Sequence, residues 1–188
     1  MNGLILTGDE WILSDTHFHH TSDWVLENRP SRWLEYVVDG WQRLVAPTDV
    51  VIHLGDLELG TAGEMDALVP SLPGMKFLIR GNHDNRSTTR YRKWGFVEIQ
   101  AGRFYVQPGI GRRSEPSYVV LSHYPDDFCV DGEGIDVYIH GHQHKKADRS
   151  ITHSDFDYKD NVSRWNANVE FNRYLPQKLS SIIKTVIK

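Results

Sequence analysis

Five short polar clusters in the chain carry residue types that do chemistry together: Asp15-Thr16-His17, Gly55-Asp56, Gly81-Asn82-His83-Asp84, Ser122-His123 and Gly141-His142-Gln143-His144. They offer carboxylate, amide oxygen and imidazole nitrogen, and no sulfur. The candidate ligands are Asp15, His17, Asp56, Asn82, His123, His142 and His144. Such donors suit Mn²⁺, Fe, Zn²⁺ or Co²⁺. One small ion rarely uses that many protein ligands, whereas two ions roughly 3.5–4 Å apart that share a carboxylate use them naturally. A pair of this kind acidifies a bridging water, polarises phosphoryl oxygens and clamps an in-line displacement. The chemistry expected is therefore hydrolysis of a phosphate ester. His83 is the candidate general acid for the leaving oxygen, a role worth about 10²–10⁴ in rate. Asp84, directly after it, is expected either to orient that imidazole and hold its charge or to cap the helix that follows.

The elements that must position these groups are legible as apolar runs before each cluster. Gly3–Thr7 and Trp11–Leu13 read as a hairpin or as two short strands around Gly8-Asp9. Side chains alternate along a strand, so Asp15 and His17 face the same side if the extended geometry continues. Val50 to Leu54 is almost continuously apolar, which fits a strand covered on both faces, and it delivers Gly55-Asp56. Lys76–Ile79, Tyr118–Leu121 and Asp136–Ile139 are further strands, each ending at one of the other clusters. Phe96–Ile99 and Arg103–Val106 read as strands joined at Ala101-Gly102. Trp33, Leu34, Val37, Val38, Trp41, Leu44 and Val45 recur at helical spacing after a candidate N-cap, Ser31, and Ala46-Pro47 ends that helix. Shorter helices are expected over Ala62–Val69 and Thr88–Trp94, and an amphipathic one at Leu179–Ile187. Phe18–Pro30 reads as a polar loop and Val169–Phe171 as a last strand.

Helices after the early strands suggest α/β layering, while the later half reads as consecutive antiparallel strands. An α/β, two-sheet β-sandwich flanked by helices accommodates both halves. We find no repeat, low-complexity tract or linker, so residues 1–188 are expected to form one domain.

With order and spacing taken together, the chain resembles the calcineurin-like metallophosphoesterases. The residues that carry the likeness are Asp15-x-His17, Gly55-Asp56, Gly81-Asn82-His83-Asp84, the lone His123 and Gly141-His142-x-His144. Any one of these motifs is weak by itself, but all five in order are specific. The resemblance implies a four-layer α-β-β-α sandwich. It implies one metal held by Asp15, His17, Asp56 and His144, and a second held by Asp56, Asn82, His123 and His142, with Asp56 bridging. It implies a hydroxide activated by both metals, with His83 facing the scissile phosphate and Asp84 supporting it. Asn28-Arg29-Pro30 and Asn161-Val162-Ser163 are similar to a subgroup of small bacterial and phage phosphoesterases. Two departures stand out. Leu57-Glu58-Leu59 follows Gly-Asp where many members carry another polar residue, and His19 stands where small relatives often have glycine.

The cofactors expected are two divalent metal ions, Mn first, with Fe, Zn, Co or Ni as alternatives. For substrate binding we single out Arg29, in the loop after the first cluster, because arginine suits phosphate geometry, and His20 beside it. His53 and His140, at the ends of apolar strands, read as core histidines or as residues behind the ligands. Net charge is −4 over 188 residues, with no global basic footprint, so nucleic acid is not the favoured partner and a small phosphoester or nucleotide is. The single cysteine, Cys129, permits no intrachain disulfide and favours a reducing compartment. No secretory signal or membrane span is visible, so cytoplasmic is the expectation. The rival readings are a nuclease, a cyclic-nucleotide phosphodiesterase, or a non-catalytic interaction scaffold on the same fold.

Overall fold

In a computed structural model, described over residues 4–107, 117–126, 135–144, 156–157 and 162–186, the apolar runs become strands of two packed sheets. The strands are β1 (Ile5–Leu6), β2 (Trp11–Leu13), β3 (Val50–His53), β4 (Met75–Leu78), β5 (Phe96–Glu98), β6 (Gly102–Val106), β7 (Ser117–Leu121), β8 (Ile135–His140), β9 (Phe156–Asp157), β10 (Val162–Asn166) and β11 (Gln177–Lys178). One sheet has the order β1-β6-β7-β8-β10-β9 and the other β11-β2-β3-β4-β5. The α-helices are α1 (Asp23–Asn28), α2 (Trp33–Leu44), α3 (Ala62–Leu68), α4 (Thr88–Lys93) and α5 (Leu179–Val186). This is the expected two-sheet sandwich flanked by helices.

Period-two alternation decides which side chain enters which core. In β3, Val51 joins the cluster under the helices, with Trp41, Val37, Met65 and Tyr91, while its neighbour Ile52 joins the cluster between the sheets. In β7, Val119 and Leu121 face that inter-sheet cluster, and Val120 turns the other way to Tyr138 and Val162. Helix α2 buries Trp33, Val37 and Trp41 on one stripe, as its spacing predicted. Helix α5 adds Leu179, Ile182 and Ile183 to the inter-sheet cluster.

Several local expectations change. Of the two readings of the first runs, that of two short strands holds and the hairpin does not: β1 pairs with β6 in one sheet and β2 with β3 in the other. Glu10 makes the crossing, since its carboxylate accepts from Thr7 N at 2.7 Å and Gly8 N at 2.8 Å. β5 and β6 likewise diverge into different sheets. The later strands are mixed rather than antiparallel, because β7–β8 and β8–β10 are parallel. Phe18–Pro30 contains the short helix α1, and 169–174 is a turn rather than a strand. Arg32, not Ser31, stands at the N-cap of α2, and no side chain caps it. Cys129, Arg112, Arg113, Lys145, Lys146 and His153, along with most of the loops around them, lie outside the described residues. No helix among the described residues is long and apolar enough to cross a membrane.

β2, β3, β4, β7 and β8 all end on one edge of the sandwich, and their C-terminal loops are stitched to each other. Asp15 N donates to Gly55 O at 2.9 Å, His17 N to Asp56 O at 3.0 Å, and Gly141 N to His123 O at 2.9 Å. Ser14 joins the two sheets through its N–H to Ala167 O at 3.0 Å. This edge carries all the predicted ligands.

Candidate metal centre

The seven predicted ligands converge on this edge in two groups. Asp15, His17 and His144 have ligand atoms within 4.8 Å of one another, and so do Asp56, His123 and His142. Asp56 Oδ2 lies 3.6 Å from His17 Nε2 and 3.5 Å from His123 Nε2, so one carboxylate oxygen faces both groups. Asn82 Oδ1 sits 3.1 Å from His123 Nε2 and 3.0 Å from His142 Nδ1.

The backbone pays for this convergence in strain. Asp15, His17, Asp56 and His142 all have positive φ, at 56°, 44°, 57° and 66°. Non-glycine residues seldom occupy that region, and they cluster at functional sites when they do. The extended geometry invoked for the Asp-x-His pair therefore does not continue past β2; two left-handed residues aim the side chains instead. Glycines let the loops close. A β-carbon at Gly141 would meet Asp15 Oδ2 at 2.5 Å, and one at Gly81 would press on the Asp56 carboxylate and stand 2.7 Å from Asp56 N.

The donor set fits metal ions on the hydrogen bonds it leaves unmade. Both ring nitrogens of His17 are buried without a hydrogen-bond partner, which is costly unless something else binds there. His123 Nδ1 lies 2.8 Å from Leu54 O, so it carries the proton and leaves Nε2 as a lone pair. That lone pair and the Asn82 oxygen, both acceptors, face each other at 3.1 Å. A cation between them resolves the conflict. Burial pushes the Asp15 carboxyl up to about 7, partly offset by His144, as expected of a carboxylate buried without a cation. Burial, followed by the Arg29 charge, drives the His17 imidazole strongly down, keeping it neutral and able to ligate. His144 goes the other way: burial lowers it, but the Glu170 hydrogen bond and the Asp15 charge outweigh that and raise it.

Around the ligands, His53 is buried and held at about 3 by desolvation, hence neutral. Its Nδ1 accepts from Gly55 N at 3.2 Å, so Nε2–H donates to Thr16 Oγ1 at 3.0 Å, and Thr16 donates on to Leu57 O at 2.7 Å. His53 thus braces two ligand loops from behind. Glu58 is buried and accepts from Arg86 Nε at 2.8 Å. His19 turns toward Glu64, 3.6 Å away. The His20 ring centroid stands 5.5 Å from that of His17, and its Nδ1 is buried without a partner.

Two assignments are corrected. Arg29 was expected to bind substrate, but its side chain is fully buried: Nε donates to Glu170 Oε1 at 2.8 Å, Nη2 to Asp15 O at 2.8 Å and Nη1 to Thr16 O at 3.1 Å. A guanidinium so enclosed cannot reach an incoming phosphate. Asp84 was expected to orient His83. Its carboxylate instead accepts from the backbone N–H of Asp56 at 2.7 Å, Gly81 at 2.8 Å and Leu57 at 3.0 Å. It positions the Asp56 loop, and the N-cap of α4 is Ser87. Asp84→Asn should therefore leave at least one buried N–H poorly satisfied and cost about 1–3 kcal/mol. Urea unfolding in the presence of chelator measures that loss apart from any metal contribution.

Sequence reasoning missed four contributors. Glu170 lies 2.8 Å from His144 Nδ1. Asn168 Nδ2 donates to Gln143 O at 3.2 Å. Trp24 on α1 has its ring centroid 4.9 Å from His144, edge on. Tyr124 stands equally close to His123 and His142, at 4.9 Å from each. The polar alternation Asn166, Asn168, Glu170, Asn172 was the one signal for the first two, and a solvated strand face explains that pattern equally well.

A two-sheet α/β sandwich with carboxylate, amide and imidazole donors gathered at its strand ends defines a class, the metal-dependent phosphoesterases. The family model for calcineurin-like phosphoesterases matches residues 11–146, and the chain belongs to that family. It is 29% identical over 187 residues to an uncharacterized protein of Methanocaldococcus jannaschii, covering 95% of this chain and 91% of that one. It is 31% identical over 167 residues to the gene 66 protein of Mycobacterium phage D29, covering 74% and 80%. Among solved structures it is similar to a protein of unknown function from Aquifex aeolicus, with a TM-score of 0.68, 26% identity, and 92% and 96% of the two chains covered. Membership implies a hydrolase acting on phosphoester bonds.

Proposed function

We propose that the protein hydrolyses phosphate mono- or diesters at a dinuclear metal site. Asp15, His17, Asp56 and His144 would hold one ion, and Asp56, Asn82, His123 and His142 the other. The single observation that carries this reading is Asp56 Oδ2, 3.6 Å from His17 Nε2 and 3.5 Å from His123 Nε2, within reach of both groups at once. Two divalent ions, when bound, supply nucleophile activation and neutralise charge on the phosphoryl oxygens. Mn²⁺ is the first choice for such donors, with Fe, Zn, Co and Ni as alternatives.

The chain's own residues do the rest. His83 N donates to Asp56 Oδ1 at 2.9 Å, which fixes the His83 backbone beside the shared carboxylate. Its imidazole is exposed and stands edge-on to His17 with centroids 5.3 Å apart. It is thereby available to give a proton to the leaving oxygen. Asp84, beneath, keeps Asp56 and Gly81 in register for that step.

The test is turnover of bis-p-nitrophenyl phosphate and p-nitrophenyl phosphate by protein purified without chelator and supplied with Mn²⁺. Hydrolysis of either that EDTA stops and Mn²⁺ restores is the expected result. No turnover of either with any of the five metals would sink the proposal. Trp24, exposed and edge-on beside His144, offers a flat apolar wall to a substrate's ring. An aromatic pair adds about 0.5–1.5 kcal/mol, so Trp24→Ala should raise KM for aryl phosphoesters about two- to tenfold. An equal change for alkyl and aryl substrates would count against that contact.

A further inference from the structure

The turn after β10 lies outside residues 11–146, yet it packs behind one of the two ligand groups. Glu170 is its key member. The carboxylate is buried, with only 3% of its side chain exposed, and meets two groups at once. Arg29 Nε donates to Oε1 at 2.8 Å, and His144 Nδ1 lies 2.8 Å from the same oxygen. Arg29 also binds the carbonyl oxygens of Asp15 and Thr16, which lead into the other two members of the group, Asp15 and His17. All three residues of the Asp15–His17–His144 group are thus tied to one buried ion pair. Its partners are 141 positions apart in the chain.

The geometry fixes the His144 ring. With Nδ1–H given to Glu170, the Nε2 lone pair is left toward the site, 3.7 Å from Asp15 Oδ1. A carboxylate behind an imidazole fixes its tautomer and raises its strength as a ligand. Among the described residues no carboxylate stands behind His123 in the second group. There His123 Nδ1 gives its proton to a neutral acceptor, Leu54 O, at 2.8 Å. The two groups therefore differ in the charge that stands behind their histidines.

We propose that Glu170 is a positioning residue for the Asp15–His17–His144 metal group, held in place by Arg29, and that it makes the two metal positions unequal in affinity. The C-terminal turn is then part of the metal site. This inference rests on the dinuclear reading above.

Mn²⁺ titration of chelator-stripped, full-length protein, followed by calorimetry and by electron paramagnetic resonance, tests it. Wild type should take up two ions. Glu170→Gln should weaken one of the two binding events by about 10–100-fold and leave the other in place. Arg29 would lose its counter-charge in that variant, so the paired change Arg29→Met with Glu170→Gln is measured beside it and should show the same one-site loss. The ratio of the two affinities is the informative quantity, because general loosening of the fold would lower both together. Equal weakening of both events, or no change in either, overturns the role of Glu170. A wild-type chain that takes up no Mn²⁺ overturns the dinuclear reading itself, and the two failures are told apart in one experiment.

Discussion

Asp56→Asn should lower kcat for phosphoester hydrolysis by about 10³ or more, and the purified variant should retain less metal than wild type. The size follows from what the carboxylate does. Its Oδ2 faces His17 and His123, one from each group, at 3.6 and 3.5 Å. Lewis-acid stabilisation is worth several kcal/mol, and each 1.36 kcal/mol is tenfold in rate. An amide keeps the shape and can still accept from His83 N through its oxygen, so the loop need not unfold. What it would remove is the charge, and with it the proposed sharing of one carboxylate between two cations. Metal analysis after dialysis, together with kcat on bis-p-nitrophenyl phosphate, measures both effects. An Asp56→Asn protein that keeps full metal content and activity would refute the shared-carboxylate arrangement.

His83→Gln should have the second largest effect and a different signature. The imidazole is exposed and engages the rest of the site through a ring contact with His17. Its removal should leave metal content and melting temperature close to wild type. Loss of a general acid costs about 10²–10⁴ in kcat, and the cost depends on how badly the leaving oxygen needs a proton. Alkyl phosphoesters should show the full loss, whereas p-nitrophenyl esters, whose leaving group departs as a stable anion, should lose far less. A uniform loss across both substrate classes would assign His83 to binding rather than to proton transfer. Backbone anchoring through His83 N survives in the glutamine variant, so the comparison isolates the ring.

The convergence of the candidate ligands was legible in the sequence because each candidate follows an apolar run, and such runs become strands that end on a common edge. Val51 and Ile52 show how far this local information goes: adjacent residues, one beneath the helices and one between the sheets, as alternation requires. The roles of Arg29 and Asp84 were not legible, because neighbours in sequence were taken for neighbours in space. Asp84 is adjacent to His83, yet its carboxylate serves residues 27 and 28 positions earlier. Arg29 sits in a polar stretch that reads as solvated, and tertiary packing encloses it against Trp33 and Glu170. Pairing of β1 and β2 was ambiguous for a related reason. A turn signal at Gly8-Asp9 marks a change of direction but not the sheet in which the next strand continues.

Sequence alone determined which atoms are available for chemistry, their order along the chain and the strands that carry them, since these depend on residue type and on period-two spacing. Tertiary structure decided which carboxylate faces both candidate groups, which residues turn left-handed to aim their side chains, and which buried charges stand behind them. Those are non-local facts. Asp15 meets His142 N across 127 positions, and Arg29 meets Glu170 across 141. Distances of that kind are set by how the two sheets pack, and no local pattern encodes them.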